Sequence, residues 1–537
     1  MKKYVIGIDY GTLSARGVLV DTENGAELAE ASFAYPHAVM DKALPSGAPL
    51  PELFALQHPK DYLDALAYIP KKLLSDSGVS NTDVCGIGID FTACTVLPVD
   101  KEGTPLSMKE EFSDNPHAYV KLWKHHSAQP EADEINALAE SMGEEWLKIY
   151  GGKISCEWML PKVLETLRKS EDVYNAADRF YEAADWLSLV LTGEESHSAA
   201  FAGYKALWNA ESGYPSNEFY KRLDARLDGI VGTKISEKVF GMDKSAGKIC
   251  ESGAALTGLA VGTTVALPMI DAHAAMPALG ICEAGELMII LGTSACHIFN
   301  ESRGVLVEGT CGYVKDGVIP GLYTYEAGQP AVGDIFDWFV KNGVPASYEK
   351  EAEERGVNIH TLLSEKAKEL KITDRSPVAL DWHNGNRSIL VNSSLMGVVS
   401  GLTLATKPEE LYRAYLEATA FGLKVIIEQY ESCGLSVDRI CASGGIAMKN
   451  TFMMQLYADI LGKRVEVSPA RQAGALGSAV YAATAAGIYP SVSDAARVLS
   501  KPASISYEPS KENESVYKKL YDRYRKLYEF FGKTLEM

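Results

Sequence analysis

An α/β protein of two domains is predicted by three features of the sequence. Strand-like and helix-like segments alternate along the chain, a strand, Gly-Thr turn and returning strand occur twice, and the length of 537 residues exceeds the roughly 250–300 that one hydrophobic core usually spans. The first opening runs from Tyr4 to Ile8, ends in Asp9-Tyr10-Gly11-Thr12 and resumes from Gly17 to Asp21 before the turn Thr22-Glu23-Asn24-Gly25. A helical stretch over 62–74 precedes an apolar strand at 85–89 that ends at Asp90, and a short strand follows at 96–99. Residues 115–225 are mostly helical in pattern, with helices expected at 131–142, 158–169 and 185–191, and read as an insertion on the first domain. The crossing between domains is expected within 258–280, dividing the chain into 1–270 and 271–537. The second opening is the strand 286–291, the turn Gly292-Thr293-Ser294 and the strand 296–300. A helix at 408–431, a strand at 439–442, the turn Ser443-Gly444-Gly445, a helix at 450–461 and a charged amphipathic tail helix from Lys511 complete the reading.

Composition excludes several functions. Lys and Arg number 52 against 71 Asp and Glu, and the net charge of -19 repels nucleic acid and anionic membrane, so phosphate must be held locally by N–H groups, helix N-termini or a metal ion. Nine cysteines with no C-x-x-C, and the absence of H-E-x-x-H, suggest neither a redox dithiol nor a zinc site. The N-terminal segment reads as a strand rather than a signal peptide, no apolar run approaches the ~18 residues a bilayer requires, and a reducing cytoplasm is the expected location.

A strand that ends in a carboxylate, followed by a glycine turn and hydroxyls, can present Asp9 to hydrated Mg²⁺ while N–H groups and Thr12 meet phosphate oxygens. An ordinary hairpin would use the same residues. The second turn, at Gly292-Thr293, favours phosphate, because two such loops on two domains can grip one polyphosphate from opposite sides. Ser443-Gly444-Gly445, with Asn450 at the start of the next helix, offers bare backbone against which a ribose or base can lie. Rival nucleotide motifs fail: Phe91 stands where a Rossmann third glycine is needed after Gly86 and Gly88, and Leu527 stands where a P-loop needs its first glycine before Gly532. Asp271, at the end of a short apolar strand, reads either as a helix cap or as a base for an attacking hydroxyl. Lys205 and Glu326 are unremarkable by themselves.

Together these motifs resemble the actin, hexokinase and heat-shock ATPase superfamily, which implies ribonuclease-H-like domains with an active-site cleft between them. GVVSGLTLATKPEELYRAYLEATAFG from Gly397 resembles the C-terminal signature of the FGGY carbohydrate kinases. NPHAYVKLWKHHSAQPEADEIN from Asn115, SCEWMLPKVLETL from Ser155 and YEAGQPAVGDIFDWF from Tyr325 are similar to the L-ribulokinase branch of that family. The resemblance implies ATP and Mg²⁺ as cofactors and phosphorylation of the terminal hydroxyl of a ketopentose, L-ribulose above D-ribulose, xylulose or a pentitol. A catalytically silent sugar sensor is the alternative of another class. By the same resemblance Ala93, Lys205, Asp271 and Glu326 line the sugar site, with Asp271 as general base. Gly11, Thr12, Gly292 and Thr293 take the phosphates, Gly328 and Gln329 lie near the ribose and phosphates, and Gly444, Gly445 and Asn450 lie near the adenosine. Asp9 and Asp271 are the expected metal-facing carboxylates. The expected partner is the small-molecule sugar, with no nucleic acid and no membrane, and a homodimer is an assembly the reading allows.

Overall fold

A computed structural model describes residues 3–534. The first sheet is built from β1 (Tyr4–Tyr10), β2 (Ser14–Asp21), β3 (Glu27–Ala34), β4 (Val84–Phe91), β5 (Ser245–Lys248), β6 (Thr264–Ala266) and β7 (Met269–Ile270). Its order is β5-β6-β4-β1-β2-β3, with β7 also paired to β4. The β1–β2–β3 meander is antiparallel and β1, β4 and β6 are parallel, so the sheet changes from hairpin pairing to crossover pairing at β1. The second sheet repeats the plan with β8 (Glu286–Leu291), β9 (Ala295–Glu301), β10 (Tyr313–Lys315), β11 (Tyr323–Gln329), β12 (Arg439–Ser443), β13 (Val465–Val467) and β14 (Ile505–Tyr507). It runs β10-β11-β9-β8-β12-β13-β14, again an antiparallel run, here of the four strands β10-β11-β9-β8, followed by the parallel steps β8–β12–β13. The repeat expected from two Gly-Thr turns is therefore a repeat of topology.

The central strands are buried on both faces, which is why YVIGI and ELMIIL read as nearly continuous apolar runs. The first sheet takes one of its covering helices from far along the chain. Ala473–Ala485 lies so close that a Cβ on Gly7 would stand 1.8 Å from the Ala475 carbonyl oxygen, and one on Gly88 2.1 Å from that of Ser478. Small residues on the helix and glycines on the strands let backbones meet, and the core of the first sheet consequently includes 274–282 and much of 475–499.

The insertion is mostly helical, including Gln129–Met142, Met159–Lys169, Ala183–Thr192 and Ala199–Lys205. It also carries a small four-stranded sheet ordered Leu56–Gln57, Val120–Lys121, Val96–Val99, Arg179–Glu182. Its two-residue strands are too short to give a periodic signal. The tail helix Lys511–Glu529 buries Tyr517, Leu520, Tyr521, Tyr524 and Tyr528 against the second core, and the Tyr524 hydroxyl donates to Asp381 Oδ1 at 3.0 Å.

Candidate active site

The ends of β1 and β4 place Asp9 directly opposite Asp90. Burial raises both carboxyl pKa values, and the charge on Asp9 raises that of Asp90 further, while Arg16, across the hairpin, opposes the shift at Asp9. Asp90 Oδ2 accepts from Ser478 Oγ at 2.7 Å, whereas Oδ1 is buried without a hydrogen bond among the described residues. Gly474 caps the pair: a Cβ there would stand 3.0 Å from Asp90 Oδ1 and 3.2 Å from Asp9 Cγ. Beside the carboxylates the hairpin is closed by Gly11 N–H donating to the Ser14 carbonyl at 3.0 Å, and Trp123 Nε1 donates to Thr12 Oγ1 at 3.1 Å.

The second hairpin closes in the same way, Gly292 N–H donating to the Ser294 carbonyl at 2.9 Å. The start of the helix Gly333–Gly343 holds it, because Val332 and Gly333 N–H donate to the carbonyls of Thr293 and Gly292 at 2.7 and 3.0 Å. Gly444 has φ +97°, and a Cβ there would stand 2.4 Å from the Leu291 carbonyl, so that position requires glycine. Gly445 borders open space. Asn450 Oδ1 accepts from Met453 N–H at 3.0 Å as a helix cap, and its Nδ2 donates to Ser364 Oγ at 3.3 Å. Ser468 N–H bonds the Ala442 carbonyl, and six residues later Gly474 covers Asp9, so at most about 20 Å of chain joins the two strand ends.

Asp271 opens the helix Asp271–Ala278 directly after β7. Its pKa is pushed up to about 7, by burial first and then by the charge on Asp9, while its Oδ1 accepts from Ala272 N–H at 2.7 Å. Glu326, on β11, receives Lys205 Nζ from the insertion at 3.1 Å, a buried ion pair that joins the two halves. Burial would raise the Glu326 pKa, yet Lys205 outweighs it and holds the carboxyl at about 2. Burial pushes His273, 3.6 Å from Glu326 Oε2, down to about 4, and neither ring nitrogen has a hydrogen-bond partner. A cavity of about 500 Å³ opens beyond Lys205, lined also by Trp158, Glu157, Cys311, Asn386 and Arg387. A cavity lined by polar side chains, joined through the Lys205–Glu326 pair to the poised Asp271 carboxyl, suits transfer to a small hydroxyl compound.

Comparison with known proteins decides the family. Residues 4–278 match the N-terminal domain, and residues 287–486 the C-terminal domain, of the FGGY family of carbohydrate kinases. The chain belongs to that family. A ribulokinase of Halalkalibacterium halodurans is 47% identical over 536 residues, 99% of this chain and 95% of that one. A ribulokinase of Geobacillus thermodenitrificans is 47% identical over 537 residues with the same coverage. Among solved structures, the fold is similar to xylulose kinase from Rhodospirillum rubrum, with TM-score 0.82, 22% identity and 98% of each chain covered. It is also similar to Plasmodium falciparum glycerol kinase with ADP, with TM-score 0.77, 18% identity, and 100% of this chain and 99% of that one covered.

Within this FGGY chain, Asp9, Asp271, Lys205 and Glu326 form one electrostatically linked group: Asp271 senses the charges of the other three. Ala93 lies in the loop after β4, which is fixed by Thr95 N–H donating to Glu182 Oε2 at 2.8 Å and by Lys162 Nζ donating to the Cys94 carbonyl at 2.5 Å. Cys94 itself is buried in left-handed backbone, φ +59°. Gly328 and Gln329 are packed into the second core. The Gln329 amide donates to Asp381 Oδ2 at 2.7 Å and the Thr419 carbonyl at 2.9 Å, its oxygen pairs with His297 Nε2 at 2.9 Å, and the residue is buried. Both of its amide hydrogens are engaged in the core. Gly328 is also buried, and its N–H donates to Ser388 Oγ at 3.2 Å. Sequence reasoning missed Asp90, whose position opposite Asp9 depends on parallel pairing, and Arg387. The one local signal for Arg387 is an arginine within the Asn- and Gly-rich stretch His383-Asn384-Gly385-Asn386.

Proposed function

We propose that the chain transfers the γ-phosphoryl group of ATP to the terminal hydroxyl of ribulose, forming ribulose 5-phosphate. The ribulokinase relatives, similar over nearly the whole chain, support the substrate. The single observation that carries the mechanism is the Asp271 carboxyl, raised to about 7 and bordered by Asp9 on one side and the Lys205–Glu326 pair on the other.

Phosphoryl transfer makes few covalent demands on a protein, so alignment and charge compensation dominate. Asp271 accepts the proton of the attacking hydroxyl. Its Oδ1 is oriented by Ala272 N–H, leaving Oδ2 to face the sugar. Lys205 and Glu326 hold sugar oxygens as donor and acceptor, and loss of either partner would leave the other buried and uncompensated, which is how such a site rejects an ill-fitting epimer. The N–H groups of Thr12 and Thr293 contact the phosphates, those of Gly11 and Gly292 being turned onto Ser14 and Ser294 to shape the hairpins, and the open face at Gly445 accommodates the nucleoside.

The residues fit Mg²⁺. Two neighbouring carboxyls with raised pKa values, one with an unpartnered buried oxygen, gain from a cation. Asp9 and Asp271 would face it through water, and when bound it supplies charge neutralisation on the phosphates. Nine free cysteines, and no helix among the described residues long and apolar enough to cross a membrane, support a reducing compartment. The test is ADP production with Mg²⁺-ATP against L-ribulose, D-ribulose, xylulose, ribitol and glycerol. L-Ribulose should give the highest kcat/KM, and a pentitol above it would overturn the substrate.

A further inference from the structure

We propose that Arg387 is a specificity-determining residue that grips the carbonyl end of the sugar, C1 and C2, while Asp271 acts on the other end. The inference rests on the ketopentose reading of this site and adds a residue to it.

Three observations carry it. First, Arg387 is a guanidinium with nothing to donate to: no hydrogen bond links its nitrogens to any described residue, its side chain is 45% exposed, and it lines the cavity that Lys205 also lines. Unused donors on the wall of a polar cleft await an acceptor. Second, its ion pair with Glu326 is loose. Arg387 Nη2 lies 3.6 Å from Glu326 Oε1, beyond hydrogen-bond reach, whereas Lys205 Nζ lies 3.1 Å from Oε2. The carboxylate keeps Arg387 charged and near while leaving its fork free. Third, Arg387 and Asp271 both act on the Lys205–Glu326 pair, and of the two it is Arg387 that lines the cavity. Asp271 senses Asp9, Glu326 and Lys205, while Arg387 acts on both Glu326 and Lys205, so that pair stands between them.

A sugar with its terminal hydroxyl at Asp271 and its middle at Lys205 and Glu326 therefore extends its other end toward Arg387. In a ketopentose that end is an adjacent carbonyl oxygen and C1 hydroxyl, two acceptors on neighbouring carbons. A planar guanidinium offers two parallel N–H groups at matching spacing, which a lysine does not. Gly328 lies beneath the fork, a Cβ there standing 3.5 Å from Arg387 Cδ and 2.9 Å from the Ala295 carbonyl, which gives that buried glycine a role as floor.

The experiment is a cycle of substrate against variant: kcat/KM for L-ribulose and 1-deoxy-L-ribulose with the unmodified chain, Arg387→Met and Arg387→Lys, with KM for ATP measured alongside. The unmodified chain should prefer L-ribulose by about 10- to 100-fold, the worth of a charge-assisted hydrogen bond. Both variants should lose most of that preference with KM for ATP unchanged, a pattern that mere structural damage would not produce. Full preference retained in Arg387→Lys or Arg387→Met, or equal loss on both sugars together with a raised KM for ATP, would overturn the assignment. If the unmodified chain turns over no ribulose, the substrate reading itself fails and the Arg387 assignment falls with it.

Discussion

The two halves open on the same hairpin and differ in what stands two residues before its glycine. In the first half that residue is Asp9, opposite Asp90 on the parallel strand and Arg16 across the hairpin. In the second it is Ile290, opposite Ser443 and Cys296. Topology, hairpin closure and crossover repeat, while the charge does not. On the proposed function, one copy of the fold holds the carboxylates that face a cation, and the other is a backbone cradle that opens onto Gly445. Two anionic copies would repel a polyphosphate, and two neutral ones would leave its metal without a protein partner. Division of labour between duplicated lobes is thus an electrostatic requirement of the substrate.

The comparison can be broken most sharply where the halves meet. Glu326→Gln removes the charge that offsets Lys205, leaving a buried cation, and should cost about 3–5 kcal/mol of stability by denaturant titration while raising KM for the sugar. A loss under ~1 kcal/mol would mean that the pair is hydrated and does not bind the lobes. Next in size, Asp9→Asn should weaken the apparent affinity for Mg²⁺ by about 10- to 100-fold in turnover assays, whereas Ser443→Ala, at the matching place in the other half, should change it less than ~3-fold. Similar effects at both positions would erase the asymmetry. Smaller again, Gly88→Ala drives a Cβ to 2.1 Å from the Ser478 carbonyl and should destabilise by about 1–3 kcal/mol, while Gly445→Ala, bordering open space, should leave stability within ~0.5 kcal/mol and reduce ATP affinity. Calorimetry of both variants separates the packing glycine from the ligand-facing one.

Where the chain announces its own geometry, the sequence was readable. The two openings, the buried central strands and the long helix Pro408–Ser432 follow from apolar runs, turn glycines and a proline at the helix start. What depends on pairing distant segments was not. Asp90 looks like any strand end until β4 is placed beside β1, and β3, with its alternating ELAEASFA, carries too little apolar signal to stand out. The helix Ala473–Ala485 belongs to the first sheet although some 380 residues separate it from β4, and only the facing glycines record that docking. The site was legible to the same degree. Lys205, Asp271 and Glu326 came by resemblance and are brought together, whereas Gln329 is engaged by His297, Asp381 and Thr419, partners that no local pattern reveals.

The account depends above all on Asp271 as the proton acceptor, and the most direct test is the pH dependence of L-ribulose turnover at saturating Mg²⁺-ATP, in the unmodified chain and in Asp271→Asn. A base must be ionised to act, and this carboxyl is raised to about 7, so kcat/KM for the sugar should fall about tenfold per pH unit below that value and level off above it. Asp271→Asn should lose about 10²- to 10⁴-fold in kcat, show no such step near 7, and bind ATP normally. A variant that turns over at the unmodified rate, or that keeps the same step, would contradict the account.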